Sequence, residues 1–255
     1  MAILPESKVL LPLYIYPSPG NWDPLFKSIE AYPALEFVVI INPNSGPGSE
    51  PWWPNTDYVR EVRKLNAYPN VQTVGYVATT YCKRSIEDVF ADIAKYVSWS
   101  SDNRYPGLGV TGIFFDETLN LFHEDVKEYL DAISIKVKNS EGILGFKTVI
   151  HNPGTAVEKG LSDPGPDITT VAEVTYYDFK SESFQRWLSR SPYGRDRSSY
   201  MIHSTPEGNV EDLVRTIRER AAYIFVTDLE MDYYHSFGSS WDRFVLAMAT
   251  EWDSM

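Results

Sequence analysis

Cysteine is nearly absent: Cys82 is the only one in 255 residues. No disulfide can close within the chain, and a cysteine-rich metal centre is excluded. A lone cysteine is common in reducing compartments, but a domain of this size does not need disulfides. Long apolar runs are missing too, and none approaches the ~20 residues of a membrane span. The opening MAILPESKVLLPLYIYP lacks the basic stretch of a signal peptide and passes almost directly into a strand-like run. No Asn-x-Ser/Thr acceptor occurs. Positive charge is scarce, with 23 Lys and Arg against 35 Asp and Glu, a net charge of −12. A phosphate backbone would be repelled, so nucleic acid is not an expected partner. There is no Gly-x-Gly-x-x-Gly after a strand, no Gly-x-Ser-x-Gly and no His-x-x-x-His. A dinucleotide site, a serine nucleophile elbow and a helical zinc motif therefore lack their signatures, and no cofactor or metal is expected.

What is abundant is apolar and aromatic. Hydrophobic residues make up 43% of the chain, enough for a large core. There are 17 Tyr and 7 Trp. Flat rings of this kind fill cores and also stack on the C–H faces of sugars.

Eight strand-like runs recur along the chain: 9–17, 36–43, 72–79, 109–117, 145–153, 169–178, 198–205 and 223–232. Most are near-continuous Val, Ile, Phe and Tyr, as expected of strands buried on both faces. Helical periodicity fills the gaps, most clearly in DYVREVRKLNAY and SIEDVFADIAKYVSW. The helix after strand five, TAVEKGLS, is the weakest. A mean spacing of about 31 residues per unit predicts a single (β/α)8 barrel domain over 1–255. An open doubly wound sheet is the runner-up.

Such barrels carry their chemistry at the C-terminal ends of the strands. Filtering for those ends selects Tyr16, Asn42, Asn44, Thr79, Asp116, Glu117, His151, Asn152, Glu173, Tyr176, His203, Asp228 and Glu230. Glu173 sits in the apolar run TVAEVTYY, where an unpaired charge would be costly to bury. Two carboxylates flanking a scissile bond are the minimal machinery of glycoside hydrolysis. Adjacent strand residues point to opposite sides, so Asp116 and Glu117 share a pocket only if the strand ends between them. The Pro- and Gly-rich stretch 42–57 presents Trp52 and Trp53, and these join Tyr16, Asn42, His151, Asn152, Tyr176, His203 and Asp228 as candidate substrate contacts. Tyr14, Tyr177, Tyr233 and Tyr234 are further aromatic candidates. His151, His203 and Asp228 could instead form a metal-dependent hydrolase centre.

The motifs LLPLYIYP, FVVIINPNSGPG, VGYVATTY, GIFFDE, HNPGT and TYYD, in this order, resemble the spherulin-4 family, glycoside hydrolase family 135. The resemblance runs from about Val9 to Trp252. It implies a (β/α)8 barrel and an endo-acting hydrolase of galactosaminogalactan, a fungal exopolysaccharide of α-1,4-linked galactose and N-acetylgalactosamine found in biofilms. It also implies an extracellular or cell-surface protein, with a leader or anchor upstream of Met1. The family's acidic triad falls on Asp116, Glu117 and Glu173. An acetamido group cis to an α-linked leaving group cannot attack from behind. A carboxylate of the protein or a water must attack instead; the expected mechanism is retention, with Asp116 as nucleophile, Glu173 as acid/base and Glu117 polarising or binding substrate, and inversion is the alternative. A monomer acting on polysaccharide is expected; a barrel that binds polysaccharide without cleaving it is the alternative.

Overall fold

In the computed structural model, which describes residues 6–48 and 54–252, the eight runs become eight parallel strands closed into one barrel. The chain order is β1 (Lys8–Leu13), α1 (Asp23–Ala31), β2 (Phe37–Ile41), α2 (Thr56–Leu65), β3 (Val71–Ala78), α3 (Ile86–Ser101), β4 (Gly112–Asp116) and α4 (Glu124–Lys138). It continues with β5 (Thr148–Asn152), β6 (Ile168–Thr175), α5 (Tyr176–Lys180), α6 (Glu182–Leu188), β7 (Ser198–His203), α7 (Val210–Ile217), β8 (Tyr223–Val226) and α8 (Trp241–Ala249). This is the (β/α)8 barrel expected from the pattern.

Several elements differ from expectation: β1 ends at Leu13 rather than Pro17, and β8 at Val226 rather than Asp232. The TAVEKGLS segment forms only a 3-10 turn at Lys159–Leu161, so β5 returns to β6 without an α-helix. The sixth strand ends at Thr175 rather than Asp178, because the Thr175 hydroxyl accepts the Asp178 amide and starts α5. Similar caps begin α2, where Asn55 accepts from Tyr58, and α3, where Ser85 accepts from Asp88.

Strand and helix layers interlock through fully buried side chains such as Phe37, Ile40, Phe114, Phe115, Ile93 and Tyr96. At Gly75 on β3 an added Cβ would come within 2.6 Å of the Tyr96 ring. The missing side chain lets α3 press onto the sheet, and the Tyr96 hydroxyl donates to the carbonyls of Ile41 and Tyr76.

Register is uneven around the barrel. β1–β2, β2–β3, β3–β4 and β4–β5 pair along most of their length. β5–β6 is joined only at Ile150↔Ile168 and His151↔Thr169, and β8–β1 only at Lys8↔Tyr223 and Val9↔Ile224. In β6 a register shift between Thr170 and Ala172 precedes Glu173, which then lies level with Met201. No helix among the described residues is long and apolar enough to cross a membrane.

Candidate active site

At the C-terminal end of the barrel lies a cavity of about 360 Å3. Asp116, Glu117, Asn152 and Glu173 line it with Tyr76 and Tyr233. A larger hollow of about 520 Å3, bordered by Tyr32, Leu35 and Arg218, lies at the opposite end, where barrels hold structure rather than chemistry.

Asp116 closes β4 and pairs in register with Ala78 on one side and Asn152 on the other. Its Oδ1 accepts the Glu117 amide at 2.9 Å and Asn152 Nδ2 at 2.7 Å. Its Oδ2 accepts the Tyr76 hydroxyl at 2.8 Å. Burial, then the charge of Glu173, raises its pKa to about 6; the three donors act in the opposite direction.

Glu117 has φ +56°, in the left-handed region. The strand therefore ends between the two acids, and both line one cavity. Across the mouth, Glu173 Oε2 accepts the same Asn152 Nδ2 at 2.6 Å, and Oε1 accepts the Tyr233 hydroxyl. One amide nitrogen thus touches a carboxyl oxygen of each acid. The two bonds, of 2.7 and 2.6 Å, bring those oxygens close together.

The other selected residues divide. Asn42 lines the cavity, and its Oδ1 accepts the Gly46 amide, which shapes the loop after β2. His203 stacks on Tyr233 with ring centres 4.8 Å apart and so backs the ring that serves Glu173. Tyr16 stands outside the cavity lining, its hydroxyl donating to Asp57 and accepting from Asn55. Tyr176 begins α5 and packs edge-on against Tyr177, also outside the lining. Trp52 and Trp53 lie outside the described residues.

His151 and Asp228 are not brought to the cavity. Strand alternation turns His151 away from the barrel when Asn152 faces in. Its ring is buried against Ser134 of α4, 3.1 Å from the hydroxyl. Burial, only partly offset by Asp167, lowers its pKa to about 3. Asp228 clasps the loop after β8: Oδ1 accepts the amide and hydroxyl of Ser240, and Oδ2 accepts the Ser239 hydroxyl. His151, His203 and Asp228 do not converge, and no group of three metal-ligating side chains occurs among the described residues.

Tyr76 escaped the strand-end filter because it lies two residues before the end of β3. Its reach across to Asp116 is set by the barrel's curvature rather than by sequence position. Ser45 and His235 also line the mouth.

The model of spherulation-specific family 4 matches residues 8–248. The chain belongs to this family. Spherulin-4 of Physarum polycephalum is 33% identical over 230 residues, covering 87% of this chain. The chain spans 63% of that relative's length. Among solved structures, Sph3 of Aspergillus clavatus in complex with GalNAc superposes with TM-score 0.91 at 42% identity, covering 96% of this chain and 98% of that one. The family 18 chitinase ChiB of Flavobacterium johnsoniae shares the barrel at TM-score 0.54 and 10% identity, over 95% of this chain and 94% of that one. At that identity the likeness concerns the fold alone.

Proposed function

We propose that this spherulation-specific family 4 protein is an endo-acting glycoside hydrolase. Its substrate would be an extracellular polysaccharide containing α-1,4-linked N-acetylgalactosamine, cleaved with retention. The observation that carries the proposal is the shared Asn152 amide, which ties Asp116 to Glu173 and so supports the close pairing of carboxyls that a double displacement uses. The substrate class draws on the likeness to Sph3, whose structure holds GalNAc. The mouth lining contains no Lys or Arg, as suits an uncharged sugar.

In the first step Asp116 attacks the anomeric carbon while Glu173 protonates the departing glycosidic oxygen, leaving a glycosyl ester on Asp116. In the second, Glu173 takes a proton from water, the water oxygen attacks the same carbon, and Asp116 leaves as carboxylate. Three donors favour the ionised Asp116 that attacks, and they receive the charge again when the ester breaks. Tyr233 holds Glu173 in place. Glu117 faces the cavity without a protein partner for its carboxylate among the described residues, and is free to accept sugar hydroxyl or amide protons.

The test is proton NMR of a defined α-linked oligosaccharide at the start of digestion. The α anomer is expected first; early β anomer overturns retention. Asp116→Asn and Glu173→Gln are expected to abolish cleavage while binding persists. Wild-type cleavage by both would sink the catalytic assignment.

A further inference from the structure

A glutamate in the left-handed region is strained relative to ordinary backbone, so something must hold Glu117 there. The grip comes from the segment after β3. The Thr79 hydroxyl lies between two successive carbonyls, donating to Asp116 O at 2.9 Å and Glu117 O at 2.8 Å. The Thr79 amide also donates to Asp116 O, and the Tyr81 amide to Glu117 O at 2.7 Å. These carbonyls belong to the two peptide planes that flank the Glu117 Cα. Fixing both planes fixes φ and ψ of Glu117 together.

The segment is itself costly to build. Thr80, Tyr81 and Cys82 are all left-handed, with φ of 49°, 54° and 58°. The turn is closed by Lys83 N donating to Thr80 O and Arg84 N to Thr79 O. The Arg84 guanidinium pins it from outside, donating to Ala78 O and pairing with Asp92 at 2.6 Å. Thr79 is fully buried and does not line the cavity.

We infer that Thr79 is a positioning residue: its hydroxyl locks the kink at Glu117 that turns both neighbouring carboxylates into one cavity. This role rests on the hydrolytic reading of Asp116 and Glu173. The kink does two jobs at once. It places the Glu117 side chain on the Asp116 side of the strand, and it aims the Glu117 amide at Asp116 Oδ1. Without the hydroxyl each carbonyl keeps one backbone donor, so the barrel should still fold while the angle between the two planes relaxes.

Thr79→Val keeps the shape and removes the donor; Thr79→Ser keeps the donor and removes the methyl. With the polysaccharide as substrate, Thr79→Val is expected to lower kcat about 10- to 100-fold with KM within about twofold, and Thr79→Ser to stay within about threefold of wild type. A crystal structure of Thr79→Val should show Glu117 out of the left-handed region. Wild-type kcat in Thr79→Val, equal loss in both variants, or an unchanged Glu117 backbone each overturns the role. Asp116→Asn is run alongside. If it also cleaves normally, the hydrolytic reading itself has failed; if it is inactive while Thr79→Val is not, only the role of Thr79 falls. The crystal structure decides the positional claim whatever the activity.

Discussion

The phenol of Tyr76 donates to Oδ2 of Asp116 across the β3–β4 pair, 2.8 Å away. This bond favours the carboxylate over the acid and is among the influences that hold its pKa down to about 6. Tyr76→Phe should therefore move the acid limb of kcat/KM to higher pH and lower the plateau by about 10-fold. A pH–rate profile with an unmoved acid limb would detach Tyr76 from the chemistry.

Asn152 is expected to matter more than either tyrosine, because it alone touches both acids. Asn152→Ala should cost about 10²- to 10³-fold in kcat with a modest change in KM, since spacing rather than substrate contact is lost. Steady-state kinetics on matched oligosaccharides check the split.

Asp116 carries a stability cost. Its folded pKa, about 6, lies above the ordinary carboxyl value of 3.8. The native state thus holds more protons between those values, and stability falls as pH rises through that window. Above about pH 6 the penalty is complete, roughly 1–2 kcal/mol after allowing for the side open to solvent. Asp116→Asn should raise Tm at pH 7.5, with the gain shrinking towards pH 4. The variant's amide oxygen keeps the Glu117 and Asn152 donors, and its nitrogen donates to the Tyr76 oxygen in place of the bond it loses. Calorimetry at the two pH values decides it.

His151 has the opposite linkage. Its folded pKa of about 3 lies below the ordinary imidazole value of 6.5, because the buried ring resists charge. Stability is full above about pH 6.5 and is lost as pH falls towards 3. His151→Gln should flatten that acid slope in urea titrations and leave kcat/KM within about twofold, as the residue lies behind the strand.

Asp228 clasps a loop whose middle carries Tyr233 to Glu173. Asp228→Ala should reduce kcat/KM about 10-fold and expose the 229–238 segment to limited proteolysis. Tyr233→Phe should share the kinetic defect but not the cleavage.

The barrel was legible because buried parallel strands write themselves as continuous apolar runs, and a half-buried acid such as Glu173 stands out within one. The acid pair was legible for the same reason. His151 could have been excluded by the alternation rule, given Asn152 beside it. Asp228 could not: an acid at a strand end looks the same whether it faces a ligand or two later serines. Nor could the double bond of Asn152 be read, since it depends on register between strands. The short helix after β5 shrinks to a 3-10 turn although Ala156, Val157 and Leu161 are all buried, and Gly160 lowers the helix propensity of so short a segment.

The two short seams of the barrel, β5–β6 and β8–β1, divide it into unequal staves. Tyr76, Asp116 and Asn152 stand on the larger, β1 to β5; Glu173 and Tyr233 belong to the smaller, β6 to β8. The Asn152–Glu173 bond is a stitch across one seam. Slight hinging along these lines would change the distance between Asp116 and Glu173 and load the Asn152 bond that joins them. Amide exchange at the seams, more than at the core of either stave, should track the loss of activity on warming.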